Sequence, residues 1–79
     1  MNVSIKVIGG HYKGSRWSGK LADAPVTMLV PEGIVSARAT EEAGKMRASI
    51  SDILTSDLLD VVEVTAINWA IRVTREVHS

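Results

Sequence analysis

The sequence predicts an α+β domain in which a small antiparallel sheet of four or five strands carries one packed helix. Three patterns point to this class. Apolar residues alternate with polar ones near the start of the chain, recur every three or four positions in the middle, and alternate again after Asp60. Alternation is typical of a half-buried strand, and the longer spacing is typical of one helix face. The predicted order is β-β-β-α-β-β, and 79 residues give a single domain, 1–79.

The first two strands are predicted within the first 22 residues. Apolar and polar side chains alternate over residues 3–8, which indicates a strand with one buried face. The pair Gly9-Gly10 ends this strand. The Gly- and Ser-rich stretch 11–20 then predicts a turn or an exposed hairpin tip. A second strand is expected near residues 16–22.

A third strand is predicted over residues 26–30, a run that is apolar except for Thr27. Continuous apolar runs of this length are typical of buried strands. Pro25 precedes the run, and its missing amide hydrogen suits the first residue of a strand better than a helix. The sequence Pro31-Glu32-Gly33 then predicts a turn.

The helix is the clearest element of the chain. Its buried face is predicted from apolar residues at helical spacing: Ala39, Ala43, Met46, Ile50, Ile53 and Leu54. Thr40 is the expected N-cap, and Ser36 is the alternative. Gly44 interrupts the pattern at a cost of up to about 1 kcal/mol relative to alanine. We expect a close approach of the helix to the sheet to compensate for this cost.

The end of the chain returns to strand periodicity, and its apolar positions switch from even to odd numbers around Ala66. A turn or a β-bulge produces such a switch, because one inserted residue reverses the face that points inward. We favour a hairpin. Trp69 is expected in the core, with its indole N–H reaching an acceptor at the rim. An SH3-like barrel and an open sheet backed by a helix both accommodate these elements.

Composition and spacing exclude several classes of function. The chain has no cysteine, which excludes a disulfide scaffold, a thiolate zinc site and a cysteine nucleophile. His11 and His78 do not have the spacing of zinc ligands. We therefore expect no metal, no cofactor and no enzymatic activity. No apolar run approaches the roughly 18 residues of a membrane span, and no signal peptide is visible, so a cytoplasmic location without membrane contact is expected.

One stretch of the chain resembles a known motif. Residues 7–14, Val-Ile-Gly-Gly-His-Tyr-Lys-Gly, followed by Gly19-Lys20-Leu21, resemble the KOW motif of ribosomal and transcription-elongation proteins. The resemblance covers residues 3–22 and implies two strands that begin an SH3-like barrel in contact with RNA or protein. The contact candidates that it implies are Tyr12, Lys13, Arg16 and Lys20. The extra residues Arg16-Trp17-Ser18 and the long helix depart from the motif.

The net charge of zero is a cancellation between two parts of the chain. The first 22 residues carry +4 with no acid, and the remaining 57 carry −4. Basic residues interleaved with rings are typical of single-stranded nucleic-acid binders, but lysines on a hairpin also prevent edge-to-edge aggregation. A pI of 6.7 is low for a dedicated nucleic-acid binder. The candidate partner-binding residues are His11, Tyr12, Lys13, Arg16, Trp17 and Lys20.

Three functional hypotheses follow from these features. The leading one is a small non-enzymatic protein that binds another protein through the 10–20 loop or a sheet edge and regulates or inhibits it. Compact chains with this element order resemble the small regulators and inhibitors that bacteriophages encode. The first alternative is a KOW-like module for single-stranded nucleic acid, in which Lys6 joins the basic loop residues. The second is a homo-oligomeric assembly subunit, because so small a domain with a thin core is marginal alone.

Overall fold

The structure is a computed structural model that describes residues 2–30, 36–56, 60–66 and 69–76. The described strands are β1 (Asn2–Gly10), β2 (Arg16–Lys20), β3 (Val61–Ala66) and β4 (Trp69–Arg75). The described helices are α1 (Val26–Leu29) and α2 (Ala37–Leu54), and a 3-10 turn at Leu21–Asp23 links β2 to α1. The strands form one antiparallel sheet in the order β2-β1-β4-β3. The predicted α+β class and the four-stranded antiparallel sheet are thereby confirmed.

The core lies between one face of the sheet and α2. The odd-numbered residues of β1 point into it, and Val3, Ile5 and Val7 are at most 3% exposed. Ile71 and Val73 of β4 are buried on the same face. The helix contributes four buried residues: Ala39, Ala43, Ile50 and Leu54. Two of these four are alanines, so Ile50 and Leu54 are the large side chains that the helix buries fully.

The strand predicted at residues 26–30 is wrong, because this segment forms the short helix α1. Pro25 occupies the position before the first helical residue, where a missing amide hydrogen costs nothing. Its carbonyl accepts a hydrogen bond from the amide of Met28 at 3.0 Å. Leu29 is fully buried and Val30 is 6% exposed. A short apolar run fits a buried turn of helix as well as a buried strand, so periodicity does not separate the two.

The remaining differences from the expected order concern how the sheet closes and how α2 begins. In the described residues the sheet is open, with β2 and β3 at its edges, so an SH3-like barrel is not confirmed. The N-cap of α2 is Ser36 rather than Thr40, since the Ser36 hydroxyl accepts a hydrogen bond from the Arg38 amide at 3.3 Å. Ile53, expected on the buried face, is 38% exposed.

The hairpin expected near the end of the chain is confirmed. β3 pairs antiparallel with β4, and Val62 lies opposite Val73 with both side chains buried. The turn predicted at 31–33, the connection 67–68 and His78 lie outside the described residues.

Arg75 joins the end of α2 to the sheet. Its guanidinium donates to the carbonyl of Leu54 in the last turn of α2, and it pairs with Asp60 Oδ1 at 2.5 Å. The Arg75 side chain is only 18% exposed. The last carbonyls of a helix lack intrahelical donors, and a cation there also interacts favourably with the helix dipole. One side chain therefore caps α2 and holds the start of β3 against β4.

We predict that Arg75→Met lowers the free energy of unfolding by about 1–3 kcal/mol, since it leaves the Leu54 carbonyl and Asp60 without their donor. Arg72→Met is the matched control. Arg72 pairs with Glu63 on the surface, where both side chains are about half exposed, and an exposed pair contributes about 0–1 kcal/mol. Urea unfolding of both variants measures the difference. Equal losses would contradict the assigned role of Arg75.

Two glycines are predicted to respond to alanine with opposite signs. A Cβ at Gly44 would meet no atom within 4 Å, so the expected close approach to the sheet is wrong at this position. Gly44→Ala is therefore expected to stabilise the protein by up to about 1 kcal/mol. Gly19 has φ +149°, and its Cβ would lie 3.0 Å from the ring of Trp17. Gly19→Ala is expected to destabilise the protein by about 1 kcal/mol or more. Urea unfolding checks both signs.

Candidate functional site

The sheet has one face covered by α2 and one face open to solvent. Cross-strand partners share a face, and the even-numbered residues of β1 point away from the helix. The open face, called the polar face below, carries charges and hydroxyls: Ser4, Lys6, Arg16, Ser18, Lys20, Glu63, Arg72 and Thr74. Six of these side chains line a shallow, solvent-open depression: Ser4, Lys6, Arg16, Ser18, Arg72 and Thr74.

Three cations lie side by side across this face. Lys6 lies directly opposite Arg16 of β2 and directly opposite Arg72 of β4. Only Arg72 has a described acidic partner, and its Nε donates to Glu63 Oε1 at 3.0 Å. Like charges placed directly opposite each other destabilise a sheet. A charge arrangement that opposes folding is expected where function requires it.

The pairing pattern brings Lys6 and Arg16 especially close. The amide of Val7 donates to the carbonyl of Ser15 at 3.0 Å, and the carbonyl of Val7 accepts from the amide of Gly14 at 2.8 Å, so Val7 holds a bonded position opposite a bulge formed by Gly14 and Ser15. Bonded and non-bonded pairs alternate along an antiparallel ladder, which makes Lys6 and Arg16 a non-hydrogen-bonded pair. The Cα atoms of such a pair are about 4.5 Å apart, closer than in a bonded pair.

A row of hydroxyls borders the cations. Ser4 lies opposite Ser18 on one side and opposite Thr74 on the other. The Ser4 hydroxyl donates to Glu76 Oε1 at 2.8 Å. Hydroxyls can both donate and accept hydrogen bonds, so this row supplies adaptable contacts beside fixed positive charge.

Charge is graded across the polar face from β2 to β3. Within the described ranges, Lys6, Arg16 and Lys20 form no ion pair. The acids of the face lie toward β3, where Glu63 binds Arg72. We call the three cations on β1 and β2 the basic patch. It is an electropositive surface without an intramolecular counter-ion among the described residues.

Trp17 lies on the opposite side of the sheet from Arg16. Its cross-strand partner is Ile5, whose side chain is buried against α2. The Trp17 ring packs partly buried at the margin of the core and lies over Gly19. This packing is that of a lid over the margin of the core. Its partial exposure at the sheet edge still leaves surface for a contact.

The other candidates lie in the loop between β1 and β2. His11, Tyr12 and Lys13 are exposed, and the His11 and Tyr12 rings meet edge to face with centroids 6.2 Å apart. Both rings border a small apolar pocket on the core side, whose floor includes Trp69. Trp69 is 6% exposed, as expected for the core, but its Nε1 meets no acceptor among the described residues. The expected rim acceptor is therefore not found.

The structure thus places three of the six sequence candidates in the loop 11–14 and divides the other three, on β2, between two sides of the sheet. Arg16 and Lys20 lie on the polar face, whereas Trp17 lies on the core side. The contribution of Arg72 was missed, because its position beside Lys6 depends on the pairing of β1 with β4. Its even position in the last alternating segment was the one available signal.

Comparison with models of known protein families, with curated proteins and with solved structures finds no match to this chain. The described helices include none that is both long and apolar enough to cross a membrane. Within the described ranges, no three histidine or acidic side chains lie close enough together to hold a metal ion.

We predict that Lys6→Gln raises the free energy of unfolding by about 0.2–1 kcal/mol, because it removes a like charge opposite both Arg16 and Arg72. The gain should shrink as salt rises to about 1 M, where the screening length falls to about 3 Å. Lys45→Gln is the control, since Lys45 lies 3.6 Å from Glu41 on α2 and its loss is not expected to stabilise. Urea unfolding at two salt concentrations measures both. Destabilisation by Lys6→Gln would contradict the repulsion.

Proposed function

We propose that this chain is a small non-enzymatic binding protein whose basic patch binds an acidic segment of another protein. The observation that carries the proposal is the direct pairing of Lys6 with Arg16, with Lys20 at the other end of β2 opposite Asn2, and none of the three has an acidic partner in the described residues. Positive surface of this kind steers and selects partners of opposite charge. Regulation or inhibition of the bound protein is the corresponding role.

The placement of the rings favours protein over single-stranded nucleic acid as the partner. Binders of single strands stack bases on aromatic side chains beside the cations that contact phosphates. Here Trp17 lies on the side of the sheet opposite the basic patch, and Tyr12 borders a pocket on the core side. Three cations also neutralise few phosphates, which gives weak and strongly salt-dependent binding. The KOW-like alternative remains a prediction with less support.

The hydroxyls of the polar face suit a peptide partner. Ser18 lies within the basic patch, and Ser4 lies beside it on β1. A carboxylate needs several donors to replace its lost hydration, and cations together with hydroxyls supply them. A mixed cationic and hydroxyl surface therefore binds carboxylate side chains without a deep pocket. Assembly into homo-oligomers and a cytoplasmic location stay predictions.

We predict that a fluorescein-labelled peptide of alternating glutamate and valine binds the protein in low salt, as measured by fluorescence anisotropy. Arg16→Glu should weaken this binding about tenfold or more, a change of about 1.4 kcal/mol. Arg38→Glu makes the same charge change at an exposed position of α2 and should leave binding within about twofold, since rim or remote charges contribute little.

Labelled single-stranded RNA and DNA of matched length are the competing probes. Tighter binding of either oligonucleotide than of the acidic peptide would overturn the proposal in favour of the nucleic-acid alternative. Failure of the peptide to bind at any salt concentration, or equal losses in the two variants, would also overturn it. Circular dichroism of each variant checks that the fold is retained.

A further inference from the structure

We propose that the acidic segment binds by adding a fifth strand to the sheet along the free edge of β2. This inference rests on the proposed function and specifies how the partner is held. In the described structure β2 pairs with β1 on one side, and the order β2-β1-β4-β3 leaves its other side at the edge of the sheet. The strand is five residues long, Arg16–Lys20, which is long enough for a short ladder.

The backbone of β2 presents unpaired groups on that side. Because Val7 holds a bonded position opposite the bulge of Gly14 and Ser15, the alternation of the ladder directs the amides of Trp17 and Gly19 toward β1. The same alternation directs the amide and carbonyl groups of Arg16 and Ser18, and the amide of Lys20, away from β1. The carbonyl of Lys20 belongs to the 3-10 turn that follows, because Lys20 is its N-cap. An extended peptide recognises an edge of this kind through main-chain hydrogen bonds and gains specificity from alternate side chains.

A strand along this edge can contact two of the candidate residues, Arg16 and Trp17, at the same time. Arg16 and Trp17 point to opposite sides of the sheet, so a partner that docks flat on the polar face contacts only the first. The side chains of an added strand alternate between the two sides. One set therefore lies beside the basic patch, and the other lies beside the exposed part of the Trp17 ring.

The charges of β2 select against a second copy and in favour of an acidic segment. If two β2 edges pair antiparallel with full overlap, Ser18 lies opposite Ser18 of the second copy. Each Arg16 then lies opposite a Lys20, and like charges in that position destabilise the pair. Carboxylates in the same positions form favourable pairs. Arg16 and Lys20 thus disfavour pairing with a second copy and favour pairing with an acidic strand. Specific interfaces combine repulsion and attraction in this way.

The expected partner segment alternates acidic and apolar residues. Acidic side chains face the basic patch, and apolar side chains face Trp17 and the adjoining Leu21, which is half-buried against the core. Cross-strand contacts of an aromatic ring with a β-branched residue favour valine or isoleucine at the apolar positions. A block peptide of the same composition, with glutamates and valines separated, does not satisfy both sides.

Hydrogen exchange tests the mode of binding directly. NMR measures the exchange rate of each backbone amide of the ¹⁵N-labelled protein, alone and with the alternating peptide. The block peptide is the control. Strand addition predicts new protection at the outward amides of Arg16, Ser18 and Lys20, about tenfold or more, because amides bonded in a ladder exchange only on opening. Trp17 and Gly19, already bonded to β1, should change about twofold or less.

A proline variant gives an independent test. Ser18→Pro removes one outward amide and is compatible with an edge strand, where proline is tolerated when its nitrogen faces solvent. It should weaken binding of the alternating peptide about tenfold, whereas Ser18→Ala, which keeps the amide, should change binding about twofold or less. The exchange measurement on the unmutated protein decides the question if the proline variant does not fold.

The outcomes separate this inference from the proposed function. Binding that is lost in Arg16→Glu but unchanged in Ser18→Pro, without new amide protection, would overturn strand addition and leave face binding intact. Equal affinity for the alternating and block peptides would also overturn it. A mass that rises with concentration in light scattering without peptide would show that a second copy occupies the edge, which contradicts the selection against self-pairing.

Discussion

The packing of α2, with the short α1 beside it, against one face of an open sheet is the constraint on which the rest of this structure depends. α2 covers the face that carries Val3, Ile5 and Val7, and Arg75 holds the end of that helix to β4. One covered face is enough to bury a core in a domain of this size. The other face and the edges of the sheet are then left to water, and their residues are free to serve purposes other than packing.

The polar face is where we propose such a use. Lys6 lies between two arginines on neighbouring strands, an arrangement that weakens the sheet. Glu63 offsets only the arginine on β4. If stability alone had shaped this surface, positive and negative charges would alternate across the strands. The pair Arg72 and Glu63 follows that pattern. The uncompensated part lies on β1 and β2, next to the free edge, which is why we propose binding there.

Much of the fold, and less of the site, could be predicted from the sequence. Alternation identified β1 and the closing hairpin, and helical spacing identified α2, because those patterns span enough residues to establish a period. The segment 26–30 was too short and too uniformly apolar for that test and proved to be helical. The site depends on which residues face each other across strands. Arg72 reaches Lys6 through pairing over 66 positions of sequence, and Trp17 is turned to the core side by its register with Ile5.

The central claim is that the basic patch on β1 and β2 is the binding surface. A ¹⁵N–¹H NMR titration with the alternating acidic peptide tests it most directly, since each backbone amide reports on its own surroundings. The account predicts that the largest shifts occur at Lys6, Arg16, Ser18 and Lys20, while the exposed side of α2, represented by Arg38, stays unchanged. Largest shifts on α2, or small and uniform shifts over the whole surface, would contradict it.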